Sequence, residues 1–151
     1  MVHANAGRRT WRGIHERLVM STTVNKSLVS AFYETANRGD IDTCLEMLAP
    51  DVTWINMGST AFAGRFEGKD TVVRELIGPL FGQLVNGIHS TVDLLVAEGE
   101  HVVALTRGTA MTHSGKQYNN AYCHVFQIVD GRITQVTEYL DTALANEVLA
   151  R

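Results

Sequence analysis

The fold of this chain is decided by the stretch Tyr118-Asn-Asn-Ala-Tyr-Cys-His124-Val-Phe-Gln-Ile-Val-Asp-Gly131-Arg-Ile-Thr-Gln-Val-Thr-Glu138-Tyr-Leu-Asp-Thr142. It predicts two strands joined at the Asp-Gly pair, because β-forming residues flank that pair on both sides. Polar, titratable and aromatic side chains recur at every second position, which places them on one face of a sheet. Such a face is too polar for an ordinary core and too apolar for open water. It therefore predicts the lining of a pocket.

The direction in which Glu138 points depends on the length of the turn. A two-residue Asp-Gly turn would put His124 on the same face as Thr137, whereas a three-residue Val-Asp-Gly loop over 129–131 would put it beside Glu138. The longer loop is favoured, since a type I turn closed by a glycine bulge suits this sequence and valine fits a primed turn poorly. We therefore expect Glu138 to point inward, near His124 and Arg107.

Length, composition and charge limit the class of protein. The 151 residues, 45% of them hydrophobic, are enough to bury one core and too few for two ordinary domains. No apolar run approaches the ~20 residues of a membrane span. A net charge of -3 offers no basic surface for nucleic acid. Cys44 and Cys123 lie in apolar contexts that favour small buried side chains over a disulfide, which suits the cytoplasm. Neither nucleic acid nor a membrane is an expected partner.

Metal and phosphate signatures do not occur in the sequence. The six histidines follow no zinc-binding spacing, and the glycines form neither a dinucleotide-binding fingerprint nor a phosphate-binding loop. We therefore expect no cofactor and no metal site.

The first twenty residues differ from the rest in charge. Four arginines against one glutamate give this segment about +3, which leaves about -6 for the remainder. No apolar signal core precedes a small-residue cleavage site. We therefore expect residues 1–20 to be an N-terminal extension and residues 21–151 to form the functional domain.

Along the chain, apolar residues recur mainly at helical spacing first and at strand spacing later. The predicted helices run from a cap at Thr22 or Thr23 to Gly39, from Asp40 to Pro50, and from a cap at Asp70 to about Leu84 with a kink or break at Gly78-Pro79. The predicted strands cover residues 51–56, 61–66, 89–96, 101–111, 118–129 and 132–140, and a short helix over 143–149 ends the chain. This order predicts an α+β domain in which helices cover one face of a curved sheet.

Several short motifs accompany this order of elements. They are the Gly39-Asp40 corner, Pro50-Asp-Val-Thr-Trp54, Phe66-Glu-Gly-Lys69 before a helix, and Asp130-Gly-Arg-Ile followed by Glu138-Tyr-Leu-Asp141. Over roughly residues 21–149 the chain resembles the nuclear-transport-factor-2-like superfamily, and within it the SnoaL-like and ketosteroid-isomerase-like branch. The resemblance implies a cone-shaped, curved antiparallel sheet wrapped around three N-terminal helices, a central pocket and a homodimer.

The ketosteroid isomerases offer one comparison for the site. The position of their catalytic base falls on Asn56, which cannot exchange a proton as a carboxylate does. Their oxyanion-hole tyrosine falls on Phe32, while the adjacent Tyr33 is expected to point elsewhere. Their protonated acid falls on His124. All three roles are altered, so isomerisation by that route is not expected.

The limonene-epoxide hydrolases offer a second comparison. Trp54-Ile-Asn56-Met57 is similar to their aromatic-x-Asn-Met strand, which holds the attacking water. Their Arg-x-Asp pair falls on Arg107 and Thr109, and their last-strand carboxylate falls on Glu138. Because Thr109 replaces one acid, epoxide hydration requires a different base.

Each candidate residue also has a purely structural interpretation. His124 is suited to proton transfer, since histidine is the side chain that ordinarily titrates near neutral pH, or to a structural hydrogen bond. Glu138 is either a base or a buried ion-pair partner, depending on its distance from Arg107. Asp141 is expected to cap the last helix. Lining or substrate contact is expected from Asn56, Trp54, Tyr122, Thr109, Phe32, Met111 and Leu140.

The sequence therefore favours a small enzyme without cofactor that performs acid/base chemistry on a compact, mostly apolar, oxygen-bearing metabolite. His124 and Glu138 would transfer protons, Arg107 would set the charge of Glu138, and Asn56 with Tyr122 would orient the oxygen. Isomerisation or aldol-type cyclisation is expected before epoxide hydration. The alternative is a binding or dimerisation module that keeps the pocket and has lost the reaction.

Overall fold

The computed structural model of the protein describes residues 6–149, with side chains for residues 13–14 and 21–149. Six strands build one sheet: β1 (Leu48–Asn56), β2 (Gly64–Glu67), β3 (Leu84–Glu98), β4 (His101–Thr112), β5 (Asn120–Val129) and β6 (Arg132–Leu140). Their order is β2-β1-β6-β5-β4-β3, so β2 and β3 are the edges of an open sheet. The sheet curves around the helices, which confirms the predicted cone-shaped α+β fold.

Strand direction departs from the prediction at one position in the sheet. β1 and β6 run parallel, whereas the four other neighbouring pairs are antiparallel. The parallel pair aligns Trp54 with Val136 and Asn56 with Glu138. It therefore places the C-terminal end of β1 beside the C-terminal end of β6.

The first helix is longer than predicted. α1 (Ala6–Asn37) runs through Thr22 and Thr23, so the expected cap there is wrong. No helix end marks the predicted boundary at residue 20. The Gly-Asp corner is confirmed, because the Asp40 carboxylate accepts the Thr43 backbone N–H at 3.2 Å and begins α2 (Ile41–Met47).

The third helical segment does not break at Gly78-Pro79. It consists of α3 (Lys69–Thr71), a π-helical stretch (Val72–Ile77) and α4 (Gly78–Phe81). The Gly78 N–H bonds to the Val73 carbonyl, five residues back, so a wider turn precedes the proline that cannot donate. The residue at the N-cap position is Gly68, and the predicted side-chain cap by Asp70 is wrong.

The β5–β6 hairpin reaches the predicted register by a different route. Val129 pairs with Arg132, and Asp130 and Gly131 both have positive φ (50° and 74°), so the loop is a two-residue primed turn. The predicted three-residue loop is therefore wrong. A bulge between the Ile133 and Gln135 pairings then inserts one residue into β6. Beyond it His124 pairs with Glu138, as predicted.

The hydrophobic core lies between the inner face of the sheet and the helices. It contains Val29 and Tyr33 of α1 together with inward residues of β1, β4, β5 and β6, such as Val52, Val102, Phe126 and Val136. Asp141 caps the final helix, α5 (Thr142–Val148), by accepting the Ala143 and Leu144 backbone N–H groups, as predicted. None of the helices within residues 6–149 is long and apolar enough to span a membrane.

Candidate active site

A cavity of about 140 Å³ lies between the inner face of the sheet and the helices. Its wall is mostly apolar and aromatic: Phe32, Ala36, Ile41, Cys44, Leu45, Leu48, Trp54, Leu76, Ile77, Leu80, Phe81 and Ile88. A smaller polar set faces the same space: Tyr33, Asn56, Ser90, Tyr118, Tyr122, His124 and Glu138. No lysine or arginine is among the described residues that line it. The cavity is therefore suited to a mostly apolar ligand.

His124 and Glu138 meet across β5 and β6 inside this cavity. Nε2 of His124 lies 3.2 Å from Oε2 of Glu138, and only 11% and 13% of the two side chains is exposed. Because the sheet register pairs the two residues directly, strand geometry alone brings them together. The expected proximity of His124 and Glu138 is confirmed.

Trp54 and Asn56 hold the other side of the Glu138 carboxylate. The Trp54 indole N–H donates to Asn56 Oδ1 at 3.0 Å and to Glu138 Oε2 at 3.3 Å. Asn56 Nδ2 donates to the Phe62 carbonyl at 3.1 Å. Oε2 thus faces both Trp54 and His124, whereas Oε1 has no hydrogen-bond partner among the described side chains. The arrangement fixes one carboxylate oxygen and leaves the second available.

Tyr33 completes the group, so the expectation that its side chain points elsewhere is wrong. Its hydroxyl lies 2.9 Å from His124 Nδ1. Burial, and then the nearby charge of Glu138, raises the pKa of the Tyr33 phenol well above its usual range. Helical spacing is compatible with this position, since Val29 and Tyr33 lie four residues apart on the buried stripe of α1, but it does not distinguish Tyr33 from Phe32. Phe32 also lines the cavity, as predicted.

Tyr122 is stacked on His124 and carries a buried hydroxyl without a partner. The two ring centroids are 5.5 Å apart with an interplanar angle of 24°. Among the described side chains, the hydroxyls of Tyr122 and Thr106 are buried and make no hydrogen bond. Burial raises the pKa of Tyr122, and Tyr118 adds to this shift without reaching hydrogen-bond geometry.

The Tyr122 ring needs the glycine opposite it. A Cβ on Gly108 would lie 2.8 Å from Tyr122 Cε2 and 2.7 Å from Ile88 Cγ2. Such separations are well inside van der Waals contact. Gly108 therefore makes room for the ring that forms this part of the cavity wall.

Four residues expected at the site lie outside the cavity. Arg107 is on the outer face of β4, where its guanidinium holds the Asp93 carboxylate at 2.7 and 2.8 Å. This pairing lowers the pKa of Asp93, and the predicted proximity of Arg107 to Glu138 is wrong. Thr109 and Met111 are exposed on the same strand, and Leu140 packs against the core beside the cavity. The alternation along β4 turns Thr106 and Gly108 inward instead.

Metal binding has no cluster to support it in the described part of the chain. No group of three or more histidine, cysteine, aspartate or glutamate side chains is close enough to hold an ion there. The titratable or nucleophilic groups among the described lining residues are one carboxylate, one imidazole, three phenols, the thiol of Cys44 and the hydroxyl of Ser90.

Comparison with known proteins identifies the family. Residues 29–136 match the family described as the SnoaL-like domain, which is more than half of the chain. The chain belongs to the SnoaL-like domain family. None of the curated proteins matches this SnoaL-like chain.

Solved structures share the fold of this SnoaL-like domain. Bal32a, from a soil-derived mobile gene cassette, is 23% identical, with a TM-score of 0.76 over 85% of this chain and 98% of its own. A putative SnoaL-like polyketide cyclase from Jannaschia sp. CCS1 is 18% identical, with a TM-score of 0.69 over 85% and 95%. An epoxide hydrolase from M. tuberculosis, described as LEH-like, is 24% identical, with a TM-score of 0.70 over 85% and 91%. At these identities the likeness establishes the fold alone.

Proposed function

We propose that this SnoaL-like protein is a cofactor-independent acid/base enzyme of the isomerase or cyclase type. Its substrate would be a small, mostly apolar metabolite that carries a carbonyl oxygen. The observation that carries the proposal is the Glu138 carboxylate, 13% exposed, in a mainly apolar cavity with one oxygen fixed and the other free. A carboxylate held in this way is suited to remove a proton from carbon.

The reaction begins with proton transfer to Glu138. Its Oε1 takes a proton from the carbon next to the substrate carbonyl, and the C–H electron pair moves to form an enolate. In an isomerisation, Glu138 returns that proton to a different carbon. In an aldol-type cyclisation, the enolate carbon attacks a second carbonyl of the same molecule and Glu138 protonates the new alkoxide. Both routes return the carboxylate to its starting state.

Two side chains take roles around this base. Tyr122 lines the cavity, and its buried hydroxyl has no partner among the described residues, which supports it as a donor to the substrate oxygen once the ring shifts to meet a ligand. Asn56 uses its amide to hold Trp54 and the Phe62 carbonyl, which supports a positioning role in place of substrate contact. Phe32 and Trp54 supply apolar wall.

The test is deuterium exchange into a simple ketone. Purified protein is incubated with 2-tetralone in heavy water, and deuterium at the carbons next to the carbonyl is followed by NMR. The wild type is expected to exceed the buffer rate, and Glu138→Gln is expected to lose about 10²–10⁴-fold of that excess. Glu98→Gln, at the exposed end of β3, is the matched control and retains it. Equal rates in wild type and Glu138→Gln contradict the proposal.

The second candidate is a binding module without catalysis. It is supported by Asn56, which falls at the position of the ketosteroid-isomerase base and whose amide oxygen and nitrogen each make a protein hydrogen bond. Calorimetric binding of a ketone by both wild type and Glu138→Gln, without exchange by either, favours this candidate. Epoxide hydration has less support, because Arg107 and Thr109 lie away from the cavity.

We also propose a homodimer formed through the outer face of the sheet. Leu94, Leu105, Cys123 and Tyr139 are cross-strand neighbours there, and the three large apolar ones are 41–49% exposed. An apolar row of this length supports contact with a second copy. Sedimentation velocity tests it, since Leu105→Asp is expected to give monomer and His113→Asp, in an exposed turn, to retain the dimer.

The functional unit is proposed to be residues 21–151, with residues 1–20 as an extension. The family match over residues 29–136 supports this division. A protein that begins at residue 21 is expected to retain ketone exchange.

The two free cysteines, one of them buried, support the cytoplasm as the proposed location.

A further inference from the structure

We propose that Tyr33 is a positioning residue that determines which nitrogen of His124 carries the proton. It would hold the neutral imidazole with hydrogen on Nε2, facing Glu138, and with Nδ1 as an acceptor. The placement of the proton stands on geometry alone, whereas its catalytic consequence rests on the proposed function of Glu138.

The two contacts of the imidazole carry this inference. Nε2 lies 3.2 Å from Glu138 Oε2, and Nδ1 lies 2.9 Å from the Tyr33 hydroxyl. An ionised carboxylate only accepts, so a bare Nε2 would turn its lone pair toward those of the oxygen. Neutral imidazole carries one N–H, which leaves Nδ1 in need of a donor. Within the described part of the chain, the Tyr33 hydroxyl is the group that meets it.

The surroundings of Tyr33 suit a permanent donor. The residue is 5% exposed, and its ring makes edge contacts with Phe32 and Phe126 at 5.9 and 6.0 Å between centroids. Burial raises the pKa of the phenol, so the hydroxyl keeps its hydrogen through the neutral range. A rigid side chain on α1 thus sets the tautomer of a residue on β5.

Loss of the hydroxyl has a consequence for the base. With no donor at Nδ1, the imidazole is free to carry its hydrogen there and to present a lone pair to Glu138. The carboxylate then loses the imidazole N–H that faces Oε2 and keeps only the Trp54 N–H there, so Oε1 is less firmly positioned. For Tyr33→Phe we expect the rate of ketone exchange to fall by at least about tenfold with little change in KM. The reason is that an imidazole in the wrong tautomer slows the reaction without weakening substrate binding.

Nitrogen NMR tests the proposal without any substrate. Protein labelled with 15N in histidine is recorded from about pH 6 to about pH 9, and His124 is assigned by its absence in His124→Gln. The wild type is expected to show a protonated Nε2 and an unprotonated Nδ1 in the neutral form. Tyr33→Phe is expected to shift signal toward the opposite tautomer. Tyr122→Phe, which removes a buried hydroxyl that makes no bond to His124, is expected to leave the tautomer of His124 unchanged.

The outcomes separate this proposal from the proposed function. A wild-type protein whose neutral His124 carries hydrogen on Nδ1 overturns the inference, even if Tyr33→Phe does not fold. An unchanged tautomer in a folded Tyr33→Phe protein also overturns it. Neither result depends on catalysis, whereas failure of the proposed function appears as unaltered ketone exchange in Glu138→Gln.

Discussion

The loss of the Tyr33 hydroxyl is expected to destabilise the protein, whereas the loss of the Tyr122 hydroxyl is expected to change its stability little or to raise it. Tyr33→Phe deletes the hydroxyl that lies 2.9 Å from His124 Nδ1. Tyr122→Phe deletes a hydroxyl that has no partner among the described residues. Both tyrosines are buried, at 5% and 8% exposure, so the two substitutions differ in the hydrogen bond and little else. The comparison isolates the value of that bond.

The expected change in the free energy of unfolding depends on whether the deleted hydroxyl has a hydrogen-bond partner. A typical internal hydrogen bond contributes about 0.5–1.5 kcal/mol, and a buried polar atom left without a partner costs about 1–3 kcal/mol. Tyr33→Phe loses the bond and leaves Nδ1 of His124 without a donor. We therefore expect its free energy of unfolding to fall by about 2 kcal/mol. In a chain of this length that lowers Tm by roughly 4–8 °C. Tyr122→Phe is expected to change stability by less than about 0.5 kcal/mol, or to raise it.

Urea unfolding followed by circular dichroism measures both values. The midpoint should fall for Tyr33→Phe and stay constant or rise for Tyr122→Phe, with equal slopes for the three proteins. Equal losses in the two variants would show that the Tyr33 hydroxyl does no more than fill space. That result would refute the hydrogen bond as the element that holds His124.

Three further perturbations test other parts of the site. Gly108→Ala should cost about 1–3 kcal/mol in urea unfolding, because its Cβ would collide with the Tyr122 ring. Burial raises the pKa of Cys44 from 9.0 to about 11, so its contribution to stability is present below pH 9 and is lost as pH rises toward 11. Cys44→Ala should therefore reduce the alkaline fall in unfolding free energy. Arg107→Ala should retain ketone exchange, because its ion pair with Asp93 lies on the outer face.

Each of these expectations has a contrary outcome. A Gly108→Ala protein as stable as wild type would mean that the Tyr122 ring has room to move. If Cys44→Ala left the alkaline fall in unfolding free energy unchanged, that fall would come from other groups, such as the buried tyrosines. If Arg107→Ala lost ketone exchange, Arg107 would contribute to the chemistry of the cavity despite its position on the outer face.

Alternation along the strands predicted much of the site. On β5 the period of two turns Tyr122, His124 and Phe126 inward, and all three are buried. The same rule applied to β4 turns Thr106 and Gly108 inward and Arg107 outward. The resemblance to the epoxide hydrolases suggested the opposite for Arg107, and the local pattern was the better guide.

The facing of Glu138 was predicted correctly for an incorrect reason. The expected register required a three-residue loop, whereas the structure has a two-residue primed turn and a bulge near Thr134. The sequence Ile-Thr-Gln-Val carries no glycine or other mark of a bulge. The bulge keeps Ile133 and Val136 both buried, so packing of the core determines it.

Tyr33 could not be assigned from its own sequence context. Phe32 and Tyr33 are adjacent on α1, and either residue fits the buried stripe. The choice between them depends on His124, which lies 91 positions later in the chain and offers Nδ1 to the hydroxyl. A contact of this range is set by tertiary packing and is invisible to periodicity.

Chemical rescue of Glu138→Ala tests the central claim most directly. The truncated side chain leaves space beside Trp54 and His124 that a small carboxylate can occupy. Ketone exchange should be lost in Glu138→Ala and partly restored by added formate, but not by chloride at the same ionic strength. Exchange that persists at the wild-type rate in Glu138→Ala without formate would contradict Glu138 as the base.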